Sequence, residues 1–528
     1  YGTAGKNVQL QFVKYLREKF DDNLDAMNEA FGLDYWSNRI NAWEDFPDVR
    51  GTINGSLGAE FEKFQRMIVD KFLSWQATIV SEYKREEQFI THNFDFEWRG
   101  YSYGVQPDVN HYKAAKAVTI AGCDIYHPNQ DELTGEEIAF GGDMTRCLKH
   151  DNYLVIETEA QGFPCWTPYK GQLRLCAYSH LASGANSVMY WHWHSIHNSY
   201  ETYWKGLLSH DFAENETYRE SCIVGNEWKK IGKHLVNLKK KNDMAIMVSN
   251  EALTALNWFG IQATSGEDGN VFYNDIVRWI YNELYRMNIE CDFVWPESKN
   301  LENYKAIIVP ALYAVPDRTL ERLRRYVKNG GCMLATFKTA FADENVKVST
   351  EVQPRIIGDV LGISYDQFTF PKNVKLTGCI GEEELSQQEG EAKVFMELLR
   401  TKTANVLATY EHAMWKEYAA ITENSYGEGM GYYIGCMTDC DTLQRVLKRV
   451  LKKAKVDIPE IQFPVIVRKG VNKDGKIIKY YLNYSGETTE AAYRGKKGIE
   501  LLTKKKVEEN DTIVLAPWGV DIIEEENV

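Results

Sequence analysis

The sequence contains no long hydrophobic run. Its apolar stretches are shorter than the roughly 20 residues that a transmembrane helix needs. The first residues, Tyr-Gly-Thr-Ala-Gly-Lys, have no apolar core of a signal peptide. The 10 cysteines are scattered along the 528 residues, without the close and regular spacing of a disulfide framework. We therefore expect reduced thiols, a cytoplasmic location and no membrane partner.

Positive charge is also in short supply. The chain has 61 Lys and Arg residues against 75 Asp and Glu residues, which gives a formal net charge of -14. This balance argues against polyanionic partners such as nucleic acid and leaves neutral substrates open. The 44% of hydrophobic residues is typical of a globular protein, and a length of roughly 150 residues per domain predicts about three domains.

A glycine-rich phosphate loop is absent where an α/β domain would carry one. A second run of alternating strand and helix signals starts near Asn242, and its first strand is predicted at residues 244–248. The turn that follows reads Ser249-Asn-Glu-Ala-Leu. This turn argues against a nucleotide-binding module.

The chain divides into three regions of different periodicity. Helical signals in its first part are followed by four short apolar runs, which predict parallel βαβ units. The alternating pattern of the second region ends with an amphipathic helix predicted at residues 442–453. From about Ile461 only strand and turn signals remain, including a hairpin turn at Asn472-Lys-Asp-Gly. The four strands of the first region are predicted at residues 89–94, 118–127, 153–159 and 187–193.

The third of these strands ends in carboxylates. The run Tyr-Leu-Val-Ile-Glu-Thr-Glu carries Glu157 and Glu159 at its carboxyl end. In a (β/α) barrel this end of the strand holds the chemistry, and paired carboxylates serve glycoside hydrolysis. The two residues are two apart, so a regular strand directs both side chains to the same side. Periodicity alone therefore leaves both as candidates.

Several short motifs follow one another along the first part of the chain. They are Asn28-Glu-Ala-Phe-Gly, Tyr35-Trp-Ser, Thr91-His-Asn-Phe, Asp124-Ile-Tyr, Val155-Ile-Glu with Trp166 behind it, Ser183-Gly-Ala, and Trp193 with Glu201 eight residues later. In this order and spacing they resemble glycoside hydrolase family 42, the β-galactosidases. The resemblance implies the C-terminal part of a (β/α)8 TIM barrel, strands five to eight, in residues 1–235. A flavodoxin-like α/β trimerisation domain would follow in 236–457, and a small β-sandwich domain in 458–528.

The resemblance also implies functional residues. It favours Glu157 over Glu159 as the nucleophile of a retaining β-galactosidase that acts on β-galactosides or galacto-oligosaccharides. The residues implied at the sugar site are Tyr126, Trp166, Trp191, Glu201 and Trp204. Two of them depart from the family pattern: Trp204 stands where His is frequent, and Trp191 replaces a common Phe. Both departures bear on which sugar is bound.

The family's acid/base is a Glu in an Asn-Glu pair that is followed by Tyr-Gly, and this chain begins at Tyr1-Gly2. The resemblance therefore places the acid/base, together with barrel strands one to four, before residue 1. Half a barrel has two unpaired strand edges, which should aggregate or recruit a partner. Either the chain is a fragment, or another polypeptide supplies the other half of the barrel. The resemblance implies a homotrimer and no cofactor. We predict no zinc, because residues 3–20 contain no cysteine.

Two other functions remain open at this point. An α-L-arabinopyranosidase of the same family would use the same mechanism on a sugar without the hydroxymethyl group. A catalytically incomplete fragment would bind sugar without turnover. Aryl glycosides would separate the first alternative, and binding without hydrolysis would identify the second.

Overall fold

A computed structural model describes residues 5–162, 167–262, 270–381, 383–385 and 390–526. Its secondary structure falls into three successive units, which we name the N-terminal unit (5–235), the middle unit (244–453) and the C-terminal unit (465–525). The mixed α/β content and the β-rich C-terminal region agree with the sequence prediction. The domain boundaries given above stay predictions. No helix in the described ranges is long and apolar enough to span a membrane.

The N-terminal unit opens with helices whose ends are set by local sequence. The side chains of Asn23 and Asn54 cap the second and third helices by accepting backbone N–H groups. Gly32 ends the second helix with a φ of 62°. The helices of this unit are α1 (Lys6–Lys19), α2 (Leu24–Phe31), α3 (Gly55–Tyr83), α4 (His111–Ala114), α5 (Glu136–Lys149), α6 (Gln172–Ala182) and α7 (Glu216–Leu235).

A four-stranded parallel sheet forms the centre of this unit. Helix α5 is buried along almost its whole length and covers one face of the sheet together with α6. The other face is partly open, since Met189 is 50% and Trp191 37% exposed. The order is β1-β4-β5-β6, and β2 and β3 form a separate hairpin. The strands are β1 (Asn93–Phe94), β2 (Glu97–Trp98), β3 (Ser102–Gly104), β4 (Gly122–Asp124), β5 (Tyr153–Glu159) and β6 (Ala185–Trp191).

The middle unit contains a larger mixed sheet. Its parallel part has the order β10-β7-β11-β12-β21 and is buried on both faces, as expected for strands that lie between helices. Antiparallel strands extend it from β21 through β20, β19, β15 and β17 to β14. The sequence did not lead us to predict this extension.

The bounds of the middle unit are as follows: β7 (Met244–Met247), α8 (Asn250–Trp258), β8 (Ile261–Gln262), β9 (Asn270–Val271), α9 (Tyr273–Arg286), β10 (Asp292–Val294), β11 (Ala306–Val309), α10 (Asp317–Lys328), β12 (Cys332–Thr336), α11 (Gly358–Leu361), β13 (Ile363–Ser364), β14 (Phe368–Thr369), β15 (Val374–Ile380), β16 (Glu383–Glu384), β17 (Glu391–Glu397), β18 (Arg400–Thr401), β19 (Asn405–Glu411), β20 (Ala419–Tyr426), β21 (Gly429–Ile434), β22 (Cys436–Thr438) and α12 (Cys440–Lys453).

The C-terminal unit begins with the predicted hairpin. The Asn472 side chain accepts the backbone N–H groups of Asp474 and Lys476, and Gly475 takes the positive φ that the turn requires. The main sheet has the order β23-β24-β29-β26-β27, with β25 and β28 paired beside it. The strands are β23 (Val465–Val471), β24 (Ile477–Asn483), β25 (Thr489–Ala492), β26 (Gly498–Glu500), β27 (Lys506–Val507), β28 (Thr512–Leu515) and β29 (Val520–Glu525).

Buried charges join the three units. Asp143 on α5 pairs with Arg146 of the same helix and with Arg468 of β23. Arg146 also pairs with Asp292 of β10 at 2.9 Å, and Arg468 with Glu290 at 3.2 Å. We call these five residues the charge junction. Removing Arg146 would leave the Asp292 carboxylate without its cation, and breaking a buried pair in this way typically costs roughly 3–5 kcal/mol.

Candidate active site

Strand β5 carries Glu157 to the open end of the N-terminal sheet. Tyr153 and Val155 are fully buried and fix the strand under the helices. The register against β6 shifts between Val155 and Thr158, and the register against β4 shifts before Glu157. Such a β-bulge interrupts the alternation of side chains. The regular alternation on which the shared side of Glu157 and Glu159 was predicted therefore does not hold along this part of β5.

The carboxylate of Glu157 is held by two neutral donors. Asn93 Nδ2 donates to Oε2 at 2.9 Å, and the Tyr126 hydroxyl donates to Oε1 at 2.7 Å. Burial, and next the charge of Glu157, raise the pKa of Tyr126 far above its usual range, so this hydroxyl stays a donor. Glu157 itself is only half-buried. The carboxylate is thus oriented and still accessible from the open face.

Glu159 lies in a closed environment. Its side chain is buried and accepts the backbone N–H of His127 at 3.2 Å, while Nδ1 of the same histidine lies 3.2 Å from its Oε1. Burial opposes the imidazolium, but the charge of Glu159, together with Cys176, raises the pKa of His127 to about 10. Glu159 therefore forms an internal ion pair and is not open to a ligand.

Aromatic rings surround Tyr126. Trp98 stands edge-on to it with ring centroids 5.5 Å apart, and Trp204 stands edge-on at 5.3 Å. Trp204 is buried, whereas Trp98 is 52% exposed. The sequence analysis missed Trp98, although its position just after β1 could have indicated that it lies at the same end of the sheet.

A second group of predicted residues lies around Glu201. Trp191 Nε1 donates to Glu201 Oε2 at 3.3 Å, and His192 Nε2 is 3.9 Å from the same oxygen. The backbone N–H of Trp204 donates to the carbonyl of Glu201 at 2.9 Å. Trp204 therefore connects this group with the ring of Tyr126. Burial lowers the pKa of His192, which the sequence analysis did not single out.

Of the six predicted site residues, five are described and form these two connected groups. The sixth, Trp166, lies outside the described residues. Asn93 was missed as a contact of Glu157, although it belongs to the motif Thr91-His-Asn-Phe. Among the described residues, no group of three or more His, Cys, Asp or Glu side chains is placed to hold a metal ion.

Comparison with protein families gives two matches that follow each other along the chain. The family model described as beta-galactosidase (Glyco_hydro_42) matches residues 3–231. The model described as beta-galactosidase trimerisation domain matches residues 242–457. The first match contains Glu157 and every other predicted site residue.

Curated relatives have similar descriptions. The chain is 28% identical to beta-galactosidase bgaB of Geobacillus kaustophilus over 461 residues, which cover 86% of this chain and 65% of that protein. It is 26% identical to beta-galactosidase LacZ of Heyndrickxia coagulans over 526 residues, 98% of this chain and 75% of the relative. The chain thus spans about two thirds to three quarters of the length of these relatives.

Solved structures share the fold. A GH42 beta-galactosidase from G. stearothermophilus superposes with a TM-score of 0.89 at 20% identity, over 99% of this chain and 76% of the other. The beta-galactosidase from Bacillus circulans sp. alkalophilus gives a TM-score of 0.86 at 24% identity, over 99% and 77%. Since both family models cover consecutive parts of the sequence and the fold agrees throughout, the chain belongs to glycoside hydrolase family 42.

Proposed function

We propose that this chain provides the nucleophile and several sugar contacts of a retaining β-galactosidase, which hydrolyses terminal β-D-galactosides by double displacement. The observation that carries the proposal is the position of Glu157. Its carboxylate lies at the open end of β5, held by Asn93 and Tyr126, with no cation paired to it in the described part of the chain. A carboxylate that is oriented but not neutralised keeps its capacity to attack an electrophilic carbon.

In this mechanism Glu157 attacks the anomeric carbon and forms a covalent galactosyl-enzyme. A second carboxyl group protonates the leaving oxygen and then activates the water that releases galactose. We propose that this acid/base lies about 5–5.5 Å from Glu157 in the assembled site. The sheet β1-β4-β5-β6 then corresponds to barrel strands five to eight, and its edges β1 and β6 pair with the remaining strands.

The other residues bind and orient the sugar. Trp191 offers a partly exposed apolar ring, and the carboxylate of Glu201 is an acceptor for sugar hydroxyls. Trp204 fills the wall beside Tyr126. Trp166 completes this proposed set, on the basis of the family resemblance alone.

Assembly is part of the same proposal. The middle unit matches a family model named for trimerisation, which supports a homotrimer. The reaction needs no cofactor, because proton transfer and nucleophilic attack by carboxylates account for each step.

The test uses 2,4-dinitrophenyl 2-deoxy-2-fluoro-β-D-galactoside and intact-mass analysis. Dinitrophenolate leaves without protonation, so the reagent can label the nucleophile even where no acid/base is present. The expected result is one sugar per chain, located on Glu157 by peptide mapping. Labelling elsewhere, or no labelling by the chain either alone or combined with a polypeptide that carries barrel strands one to four, would contradict the proposal.

One observation favours a second substrate. Trp204 places a bulky ring edge-on to Tyr126 where the family often has a smaller His. We infer that this difference bears on which sugar is bound, and an α-L-arabinopyranoside, which lacks the hydroxymethyl group of galactose, is the second candidate. Parallel labelling with the corresponding 2-fluoro arabinopyranoside would decide, because the preferred sugar should label faster.

A further inference from the structure

Asp124 occupies a position beside the nucleophile that the mechanism above does not use. It ends β4, and its Cα is the direct register partner of Glu157 on the neighbouring parallel strand. Adjacent strands lie about 4.8 Å apart, so this pairing brings the backbones of the two residues together. The charge of Glu157 also acts on the Asp124 carboxyl group, so the two side chains are neighbours at the open end of the sheet.

The surroundings of Asp124 disfavour a negative charge. The side chain is half-buried, and Oδ1 is enclosed without a hydrogen-bond partner among the described residues. The charged groups that face it are both carboxylates, Glu157 on β5 and Asp95 after β1. Burial, and next the charge of Glu157, raise the pKa of Asp124 to about 7.

Two adjacent carboxyl groups seldom ionise together, and the better-solvated one takes the charge. Glu157 receives hydrogen bonds from Asn93 and Tyr126, whereas Oδ1 of Asp124 receives none from the described residues. In the free protein the charge therefore resides on Glu157 and the proton on Asp124.

We propose that Asp124 is a positioning residue that acts through Glu157: it holds a proton while Glu157 is a carboxylate and releases it to water when Glu157 becomes the galactosyl ester. The proposal rests on the proposed function, since only that reaction forms the ester. Its consequence is that one negative charge stays next to the anomeric carbon through both halves of the reaction. That charge favours the oxocarbenium-like transition state of the second half.

The balance of the step is simple. A bond forms between a Glu157 oxygen and the anomeric carbon, while the bond to the leaving oxygen breaks and its electron pair departs with that oxygen. Glu157 loses its charge, and Asp124 gains one by giving its proton to water. Hydrolysis of the ester restores the Glu157 carboxylate, and Asp124 takes up a proton again.

Proton release during labelling tests this proposal. With the dinitrophenyl 2-fluoro galactoside, dinitrophenolate leaves as an anion, so the labelling chemistry itself releases no proton. In weakly buffered solution with an indicator dye, at about pH 6.5, we expect wild type to release more than about half a proton per label. Well above the pKa of Asp124, at about pH 9, release should vanish because Asp124 is already ionised.

Three variants make the measurement specific to Asp124. Asp124→Asn resembles the protonated acid, so it should still be labelled on Glu157 but release no proton. Asp521→Asn is the matched control: burial raises the pKa of Asp521 to about 6, but it lies on β29 in the C-terminal unit, so release should equal wild type. Asp124→Glu keeps a carboxyl group and should therefore still release a proton on labelling. It replaces Asp124→Asn as the test variant if Asp124→Asn does not fold.

The outcomes separate the two proposals. Complete labelling of wild type without proton release overturns the role of Asp124 and leaves the proposed function intact. The same holds if Asp124→Asn releases as many protons as wild type. Absence of labelling on Glu157 at any pH overturns both proposals.

Discussion

Glu157 and Glu159 lie two residues apart on β5, but they differ in burial and in the charge of the groups that contact them. Glu157 is half-buried and meets two neutral donors. Glu159 is 4% exposed and faces the imidazolium of His127. A cation neutralises the second carboxylate, whereas the first keeps its charge and an open side. Residue type does not distinguish a nucleophile from a structural anion; accessibility and the charge of the partners do.

The middle unit offers a third case. Glu397 on β17 accepts the Tyr433 hydroxyl at 2.7 Å and the backbone N–H of Lys338 at 2.8 Å. Burial raises the pKa of Glu397 to about 7. The ammonium of Lys338 lies over four aromatic rings, with Phe395 nearest at 4.3 Å to its centroid. Like Glu157, Glu397 accepts a hydrogen bond from a tyrosine hydroxyl, but unlike Glu157 its side chain is buried.

The comparison predicts its largest effect for Glu157→Gln. Because the amide cannot act as the nucleophile, labelling by the 2-fluoro galactoside should fall by at least about 1000-fold. The Tm should stay near the wild-type value, since the amide oxygen can accept from Asn93 while the amide NH2 donates to the hydroxyl oxygen of Tyr126. Mass spectrometry and a thermal melt measure the two quantities. Near-normal labelling would remove Glu157 from the role of nucleophile.

Glu159→Gln should show the opposite pattern. It leaves the buried imidazolium of His127 without its carboxylate, which should cost roughly 3 kcal/mol of unfolding free energy at about pH 6. Labelling of Glu157 should continue at a similar rate. Because the pKa of His127 is raised to about 10, the imidazolium and the stabilisation of the pair are lost as the pH rises from about 6.5 towards 10. Because burial raises the pKa of Glu159, the carboxylate and the same stabilisation are lost again at acid pH. Urea unfolding at several pH values would test this, and a pH-independent difference between the proteins would contradict it.

Glu397→Gln tests the enclosed carboxyl group of the middle unit, which stays protonated in the folded protein. The folded protein keeps this proton up to about pH 7, while the unfolded chain loses it near 4.5. Stability should therefore fall by up to about 3 kcal/mol as the pH rises from 4.5 through 7. The glutamine variant should lack this slope. Identical pH dependence of urea unfolding in the two proteins would refute the assignment.

Tyr126→Phe should give the smallest effect. It removes one hydrogen bond to the Glu157 carboxylate, and bonds to charged groups contribute about 1.5–3 kcal/mol. We expect labelling to slow by roughly tenfold. Tyr178→Phe is the matched control, because it removes a similar bond to Glu227 at 2.9 Å outside the site. Equal labelling rates in the two variants would show that Tyr126 does not orient the nucleophile.

Strongly patterned elements could be predicted from the sequence. Strand β5 was predicted with its observed bounds, because it is a short buried run between punctuating residues. The strands between β12 and α12 were missed. They extend a parallel sheet in antiparallel fashion, and their partners are set by tertiary pairing rather than by a local repeat.

In the candidate site, too, some features could be predicted from the sequence and others depend on tertiary pairing. The resemblance selected Glu157, but the register shifts of β5 around this residue depend on how the strand pairs with both neighbours, which alternation cannot reveal. Asn93 and Trp98 reach the site from elements of only two residues. Such short elements carry too little periodicity to be placed from sequence.

The charge junction has a consequence for the order in which the protein is made. Asp143 and Arg146 leave the ribosome more than 300 residues before Arg468, which completes their buried set. Until then, the carboxylate of Asp143 lacks one of its two arginines, and closing the interface early would bury an incomplete cluster. Because synthesis starts at the amino end, the N-terminal unit cannot complete its packing until β23 has been made. If a ribosome is stalled before β23, proteases should therefore still cut the nascent chain near α5.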